Sequence, residues 1–579
     1  MRRATLAAVL LLAIVSLPAA AQDTVFIITP DGPEQEPVKT RGIPPEVIRE
    51  ILATYNRQGT TRLWGDVDLP AGARLTGSIG VHRGSVAVSG IIDGDLLVVN
   101  GSLLVRSGGA VNGDVLLVGG RVTVREGGTI SGSTRQYAEA APIVRAPDGR
   151  LVVREPRDLP DLTTARTTFR SGSLNTTLTL GTDHTYNRVE GLPIIFGPTF
   201  ELQATPQTTL RLDLWGILRT ADDKSDLRED FGYRGRLELR KGQARRAGIG
   251  VRAYQQVASF HDAVLGRSEN GWSAFLLQRD YRDWYLQRGV QGYLFGYPTP
   301  TLRLETSVRY DKETSLRAND PWSLFRNSDR WRANPLIDDG HYLTATAAFE
   351  LDTRNFRDTP TSGWWIKGEF ARSWNDDVAP LSLPPTVRTG LPTDGSYAFN
   401  TATLDVRRYS RLTPDIRMQA RLYADGYAGG DPLPVQRRVG LGGPDPMPGF
   451  KFRSTTCSPS SDGDFSLAGL CDRVMYAQLE VRHRLSLDLG YQYRDSELAS
   501  LDRFIGIDEA DLVLFADAGK AWLSGDGPGR VPDNRIPNLG EWDADVGAGI
   551  DAGGIGAYLA KALTGDEPVR IIVRLQRRF

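Results

Sequence analysis

The chain has 579 residues, with 69 basic against 70 acidic side chains and a formal charge of −1. That balance gives no electrostatic case for nucleic acid. A mean hydropathy of −0.29, with no later run reaching ~18 apolar residues, excludes a bundle of membrane-spanning helices but not a membrane barrel, which hides its apolar half in alternation.

The chain opens with a targeting pattern. Arg2 and Arg3 precede the apolar run Leu6 to Leu17, and Pro18-Ala19-Ala20-Ala21 supplies a small-residue cleavage region. Residues 1–22 therefore read as a signal peptide, too short in its apolar core to cross a bilayer. Residues 23–61 read as an extended leader rich in Pro, Asp and Glu, then a short helix opening near Pro45. Val47, Ile48, Ile51, Leu52 and Tyr55 give that helix one apolar face. Capping or docking is its plainer role, and recruiting a partner is the other.

Residues 62–135 carry a repeat. Leu75-Thr76-Gly77-Ser78, Ile92-Asp93-Gly94-Asp95, Val111-Asn112-Gly113-Asp114 and Ile130-Ser131-Gly132-Ser133 recur at separations of 17, 19 and 19 residues. Between them lie aliphatic runs such as Leu96-Leu97-Val98-Val99 and Val115-Leu116-Leu117-Val118. A unit this short cannot bury its own apolar face, so neighbours must stack, and a β-solenoid is the expected outcome. These residues resemble the bactofilin, or polymer-forming cytoskeletal, class of β-helix. The resemblance implies end-to-end self-association. A monomeric periplasmic spacer, with its ends covered by the residue 45–58 helix and the linker, is the blander expectation.

Residues 136–170 lose the repeat, gain Pro, Asp and Arg, and read as a linker. From 171 to 579 the texture is strand and polar loop: Leu210, Leu212 and Leu214 alternate with Arg211 and Asp213, and Leu302 and Leu304 flank Arg303. About 400 residues of this kind allow a ~16-stranded antiparallel transmembrane β-barrel. Cys457 and Cys471, the only 2 cysteines, fall in a Ser/Asp/Gly-rich stretch. An oxidising envelope favours one loop-stapling disulfide there, with a free redox pair as the alternative. At the end, Val569, Ile571, Val573 and Leu575 alternate with Arg570, Arg574 and Gln576 up to Phe579. That is the dyad pattern of a barrel strand, apolar to lipid and charged to water, closing on an aromatic at the interface.

Several of these stretches are similar to the outer-membrane assembly-factor superfamily, which includes BamA-like and TamA-like proteins, two-partner secretion transporters and the bacterial surface antigen family. Asp352-Thr353-Arg354 followed by Pro360-Thr361-Ser362-Gly363 resembles its Asp-x-Arg…Pro-x-x-Gly hairpin. Tyr476 to Arg482 resembles its strand with an inward acidic residue, here Glu480, and Phe515-Ala516-Asp517-Ala518-Gly519 matches its Phe-x-Asp-x-Gly strand. The resemblance implies a loop folded into the lumen whose Arg-Gly-aromatic tip docks on the wall at Glu480, Asp517 and Gly519. Gly449 and Phe450 keep the tip, but Pro448 stands where the arginine is expected. Arg438, Lys451 and Arg453 are the candidate substitute cations. The family's periplasmic POTRA repeats are missing, and residues 62–135 stand in their place.

Catalytic chemistry is not indicated. The 5 histidines, His82, His184, His261, His341 and His483, are scattered without ligand-spaced companions and read as surface or lumen residues. No metal or cofactor is implied. The expected protein is a non-enzymatic outer-membrane barrel with its N-terminal domain in the periplasm and lipid around it. By resemblance it would insert or translocate an unfolded outer-membrane or secreted protein, or move lipid, through a seam between residues 173–182 and 569–579. A membrane anchor for a self-associating solenoid and a passive pore are the alternatives.

Overall fold

The computed structural model describes residues 23–28, 38–40, 43, 45–137, 141, 143–145, 149–153 and 164–578, the last range without 183–185, 206, 222–230, 243–246, 261–264, 300, 326–329, 355–359, 384–386, 389–395, 414–415, 456, 458–469, 487–508 and 553–554. The expected signal peptide, His184, His261 and Phe579 lie outside these residues. Among the described residues two α-helices, α1 (Pro45–Asn56) and α2 (Arg267–Leu277), accompany β-strands.

Residues 61–137 coil into three parallel sheets stacked rung on rung. Thr61–Trp64, Ile79–His82, Leu96–Val99, Val115–Val118 and Thr134–Tyr137 form one sheet, with Val81 opposite Val98 and Val98 opposite Leu117. Those three side chains, with Val88, Val105 and Val111, are fully buried along the axis. The recurring Gly-Asp and Gly-Ser turns have a mechanical reason. Asp95 Oδ1 accepts the Asp114 amide at 3.1 Å, and Asp114 Oδ1 accepts the Ser133 amide at 2.8 Å, so each rung's turn caps the next. The hydroxyl and amide of Ser133 hold the Asp114 carboxyl below its ordinary range. At Gly101 a Cβ would stand 1.9 Å from the Gly84 carbonyl oxygen, so the stacked corner admits only glycine.

The runs Leu96–Val99 and Val115–Val118 do not alternate because both faces of their sheet are covered. Leu97, Val99, Leu116 and Val118 point outward and pack under Val47, Ile51 and Tyr55 of α1 and under Ile143 and Leu151. The helix thus covers a broad face of the solenoid, not an end as the spacer reading expected. One end of this sheet is covered from the leader instead: Asp23–Ile28 pairs antiparallel with Thr134–Tyr137 and with Val38–Thr40. His82, expected on a surface or in a lumen, is fully buried here, its Nε2 3.3 Å from the Ile143 carbonyl.

Among the described residues the second body is an eighteen-stranded sheet. Its long strands are β1 (Thr164–Ser171), β2 (Leu174–Thr182), β3 (Ile194–Thr205), β4 (Thr208–Leu218), β5 (Phe231–Lys241), β6 (Ala247–Ser259), β7 (Trp284–Thr299), β8 (Leu302–Ser315), β9 (Asp339–Asp352), β10 (Gly363–Ala379), β11 (Tyr397–Arg411), β12 (Ile416–Gly430), β13 (Arg473–Ser486), β14 (Glu509–Ser524), β15 (Asp543–Ala552), β16 (Ile555–Ala562) and β17 (Arg570–Arg574). Each is antiparallel to the next, and the short Arg530–Val531 is a parallel offshoot of β14. Polarity is inverted relative to a soluble sandwich. Leu237 is 49% exposed while its neighbour Glu238 is 4% exposed, and Val251, Leu294, Leu514 and Leu559 face outward while Asp311, Asp405, Gln478 and Asp517 are buried inside. An apolar exterior around a charged interior is the arrangement that lipid outside and water or protein inside demands. The fold is a transmembrane β-barrel preceded by a β-solenoid.

Two boundaries differ from expectation. The sheet begins at Thr164, inside the stretch read as a linker, because β1 hairpins onto β2 through a turn with Gly172 at φ +58°. Its sequence Thr-Ala-Arg-Thr-Thr-Phe-Arg-Ser carries no alternation, and residues 165–170 are exposed on both faces, so no pattern announces it. At the other edge β17 stops at Arg574 and does not run on to Phe579. Among the described residues no pairing joins β1 to β17.

Candidate functional site: the filled lumen and its seam

The described residues of the β12–β13 connection, 431–455, 457 and 470–472, fold into the barrel. A 3-10 turn at Val435–Arg437 anchors its start: Gln436 Nε2 donates to Glu313 Oε2 at 2.9 Å and to the Tyr342 hydroxyl at 3.0 Å. Backbone bridges Val439–Cys471 and Leu441–Thr455 hold the loop to itself, and a disulfide joins Cys457 to Cys471. The tip is well packed. Met447 and Phe450 are buried against Tyr423, Tyr476, Ala521 and Ala562.

Gly449 donates its N–H to Asp545 Oδ2 at 2.6 Å, and Gln478 Nε2 donates to the Pro446 carbonyl at 2.9 Å. A Cβ on Gly449 would lie 2.6 Å from Asp545 Cβ, which explains the glycine at the tip. Gly519 has a similar reason, with Tyr476 Cβ at 2.8 Å and the loop residue Leu441 at 2.9 Å from its ideal Cβ. Asp545 was not singled out from the sequence.

The three candidate cations all go elsewhere. Arg438 donates to the carbonyls of Leu433 at 3.0 Å and Leu470 at 3.1 Å. Lys451 is 3.7 Å from Glu567, and Arg453 is 2.5 Å from Asp283 and lies over the Phe452 ring. The Asp517 carboxylate is instead paired with Arg578, whose guanidinium also stacks on the Phe515 ring at 3.9 Å and lies 4.0 Å from Glu480. Glu480 pairs with Arg482, which reaches Asp551 at 2.7 Å. Spacing along the sequence cannot reveal Arg578, since 61 residues separate it from Asp517.

The lumen has a second plug. α2, in the β6–β7 connection, presents buried Glu269 to β17: Oε1 accepts Arg574 Nε at 2.7 Å and the Leu575 amide at 2.8 Å. Its Phe275 ring meets Tyr186, just past β2, edge to face at 5.3 Å. Another charge cluster ties the connections together, with buried Arg188 2.9 Å from Asp280 and 2.7 Å from Asp283. At the hairpin motif, Arg354 grips Asp352 through two bonds of 2.9 Å, Pro360 is buried, and Gly363 sits at φ +107°. Among the described residues no group of three or more His, Cys, Asp or Glu could hold a metal ion.

No protein-family model matches the chain, and none of the curated proteins matches it. Solved structures do. The chain is similar to BamA from Haemophilus ducreyi lacking POTRA domains 1-3, at 12% identity over 76% of this chain and 85% of that one, with a TM-score of 0.40. It is similar to CdiB from Acinetobacter baumannii at 11% identity over 77% and 75%, TM-score 0.29. It is also similar to CdiB from Escherichia coli at 10% identity, TM-score 0.30, covering 78% of this chain and 64% of that one.

Proposed function

We propose that this chain is an outer-membrane barrel, its N-terminal solenoid in the periplasm, that inserts or translocates a protein client by way of the seam at the sheet's two ends. One observation carries the reading: the described part of the β12–β13 loop and α2 pack inside the barrel, while the outer edges of β1 and β17 have no strand partner among the described residues. Packing inside the barrel argues against a passive pore, and an unpaired strand edge is a template for strand addition. The expected seam partner changes in one respect. The outer edge of residues 174–182 is taken by β1, which runs parallel to β17, so the seam lies between β1 and β17. The motif resemblances at 352–363, 476–482 and 515–519 support the same reading.

The test is insertion of an unfolded outer-membrane barrel into proteoliposomes that hold the full-length protein. Acceleration over empty liposomes is expected. It is expected to vanish when Thr168→Cys and Val573→Cys are bridged by a bifunctional thiol reagent. No acceleration in the unbridged protein would sink the reading.

The anchor reading has its own support. At the opposite end of the solenoid from the Asp23–Ile28 strand, Thr61–Trp64, Val67–Leu69 and Arg74–Thr76 keep an outer edge with no partner among the described residues. Concentration-dependent oligomers of the full-length protein, lost when Val67 is replaced by Pro, would favour it.

A further inference from the structure

The outer wall of the barrel carries a row of charge midway along the sheet. Gln255 on β6, Arg288 on β7, Lys312 on β8 and His341 on β9 stand opposite one another in register. Their chain neighbours Gln287, Asp311, Glu313 and Tyr342 are buried inside, so this row faces outward. His341 has Asp377 at 3.7 Å. Arg288 and Lys312 are exposed and have no hydrogen-bond or ion-pair partner among the described residues. Like charges directly opposite each other on a sheet repel, so this pair is uncompensated within the protein.

The neighbouring row fixes the level of these cations. Val290, Tyr310, Leu343 and Trp374 pair across β7 to β10, and all four are exposed on the outer face. Exposed Leu294 and Val308 continue the apolar wall beyond them. Aromatic side chains at the margin of an apolar wall mark a membrane interface. Arg372, one row deeper, is also exposed; it donates to Asn400 Oδ1 at 3.4 Å and reaches back over the Trp374 ring at 5.3 Å. The long connections 260–283 and 316–338 lie at this end of the strands, and the short turn 300–301 lies at the other. Long loops belong to the extracellular side of an outer-membrane barrel, which puts Arg288 and Lys312 at the level of the outer-leaflet headgroups.

We propose that Arg288 and Lys312, with Arg372 below them, bind the phosphate of an anionic lipid in the outer leaflet, its acyl chains lying along Val290, Leu294 and Val308. Arg288 offers a planar fork to two phosphate oxygens, and Lys312 adds a point charge. A lipid is the occupant that matches both parts of the surface, since the cations stand at the edge of a continuous apolar wall. The bound phosphate also removes the repulsion between the two facing cations. The site makes no use of β1, β17 or the seam.

The test is native mass spectrometry of the full-length protein released from detergent micelles holding equal amounts of phosphatidic acid and phosphatidylcholine. Retention of one phosphatidic acid in preference to phosphatidylcholine is expected. Arg288→Gln and Lys312→Gln should each lower that preference about fivefold, and the double variant should lower it further. Arg288→Lys, which keeps the charge, should lose less. Lys561→Gln, exposed on β16, is the control for diffuse attraction. Absence of any preference in the native protein overturns the proposal without recourse to a variant. So does a preference unmoved by the double variant, or one lowered equally by Lys561→Gln. Displacement of the lipid by inorganic phosphate overturns the assignment to a lipid. Heat-modifiable mobility on gels checks that each variant barrel is folded. Client insertion is not read, so this site and the insertase reading fail separately.

Discussion

Gly449 and His82 are single residues whose surroundings leave little freedom. Gly449→Ala pushes a methyl against Asp545 Cβ and the Ala562 amide nitrogen, 2.6 and 2.8 Å away, and neither belongs to a flexible side-chain end. The expected cost is about 1–3 kcal/mol, taken up by displacement of the loop tip. A lower heat-modification midpoint with new protease cleavage near Lys451 is the result to look for. His82 is held down to about 4, first by burial and then by the neighbouring Arg83, against 6.5 for the free side chain. Between those values the unfolded solenoid binds a proton that the folded one refuses. The contribution is complete above 6.5 and is lost as pH falls toward 4, reaching about 3 kcal/mol at most. Hydrogen exchange of residues 79–99 in the intact protein should accelerate across that window, and His82→Phe should flatten the dependence.

At the scale of the element, the solenoid and the inward loop are stabilised in different ways. The solenoid is a stack, so a fault in one rung spreads to its neighbours. Gly101→Val would drive a side chain into the Gly84 carbonyl and separate two rungs. Exchange protection should fall across residues 84–120 while the barrel's gel mobility is unchanged. The loop is a long excursion stapled at its return by Cys457–Cys471, 14 residues apart. Closing a loop of that size is worth about 3 kcal/mol. Reduction should therefore raise protease sensitivity around residues 451–457 without unfolding the sheet. The solenoid's repeat was plain in the sequence because parallel stacking forces identical corners at a fixed period. The helix α2 was not, because Arg267–Leu277 has only a weak apolar stripe and is held by Glu269 and aromatic contacts with other connections.

The molecule as a whole reads as a barrel turned inside out. Val251 faces outward on β6 and is 55% exposed. Val251→Arg should cost about 2–4 kcal/mol of folding stability in a bilayer. The same change at the loop residue Ile536, also exposed, should cost little. Equal losses at the two positions in lipid bilayers would contradict the membrane assignment of this face. The seam and the plugs act at the same scale. α2 touches β17 through Glu269 and Tyr186, in the β2–β3 connection, through Phe275, so it links early and late parts of the sheet.

The sequence by itself determined what is local and periodic. Dyad alternation marks lipid-facing strands, a 17-to-19-residue period marks stacked rungs, and Gly449, Gly519 and Gly363 mark positions where a Cβ or a negative φ has no room. Only the tertiary structure decided which cation meets which carboxylate. Asp517 lies inside a curved wall whose neighbours across the lumen are set by barrel curvature and loop return, not by chain distance. A buried carboxylate takes whichever guanidinium the fold delivers. Here that is Arg578, drawn from the strand whose alternation alone had sent it along the membrane wall.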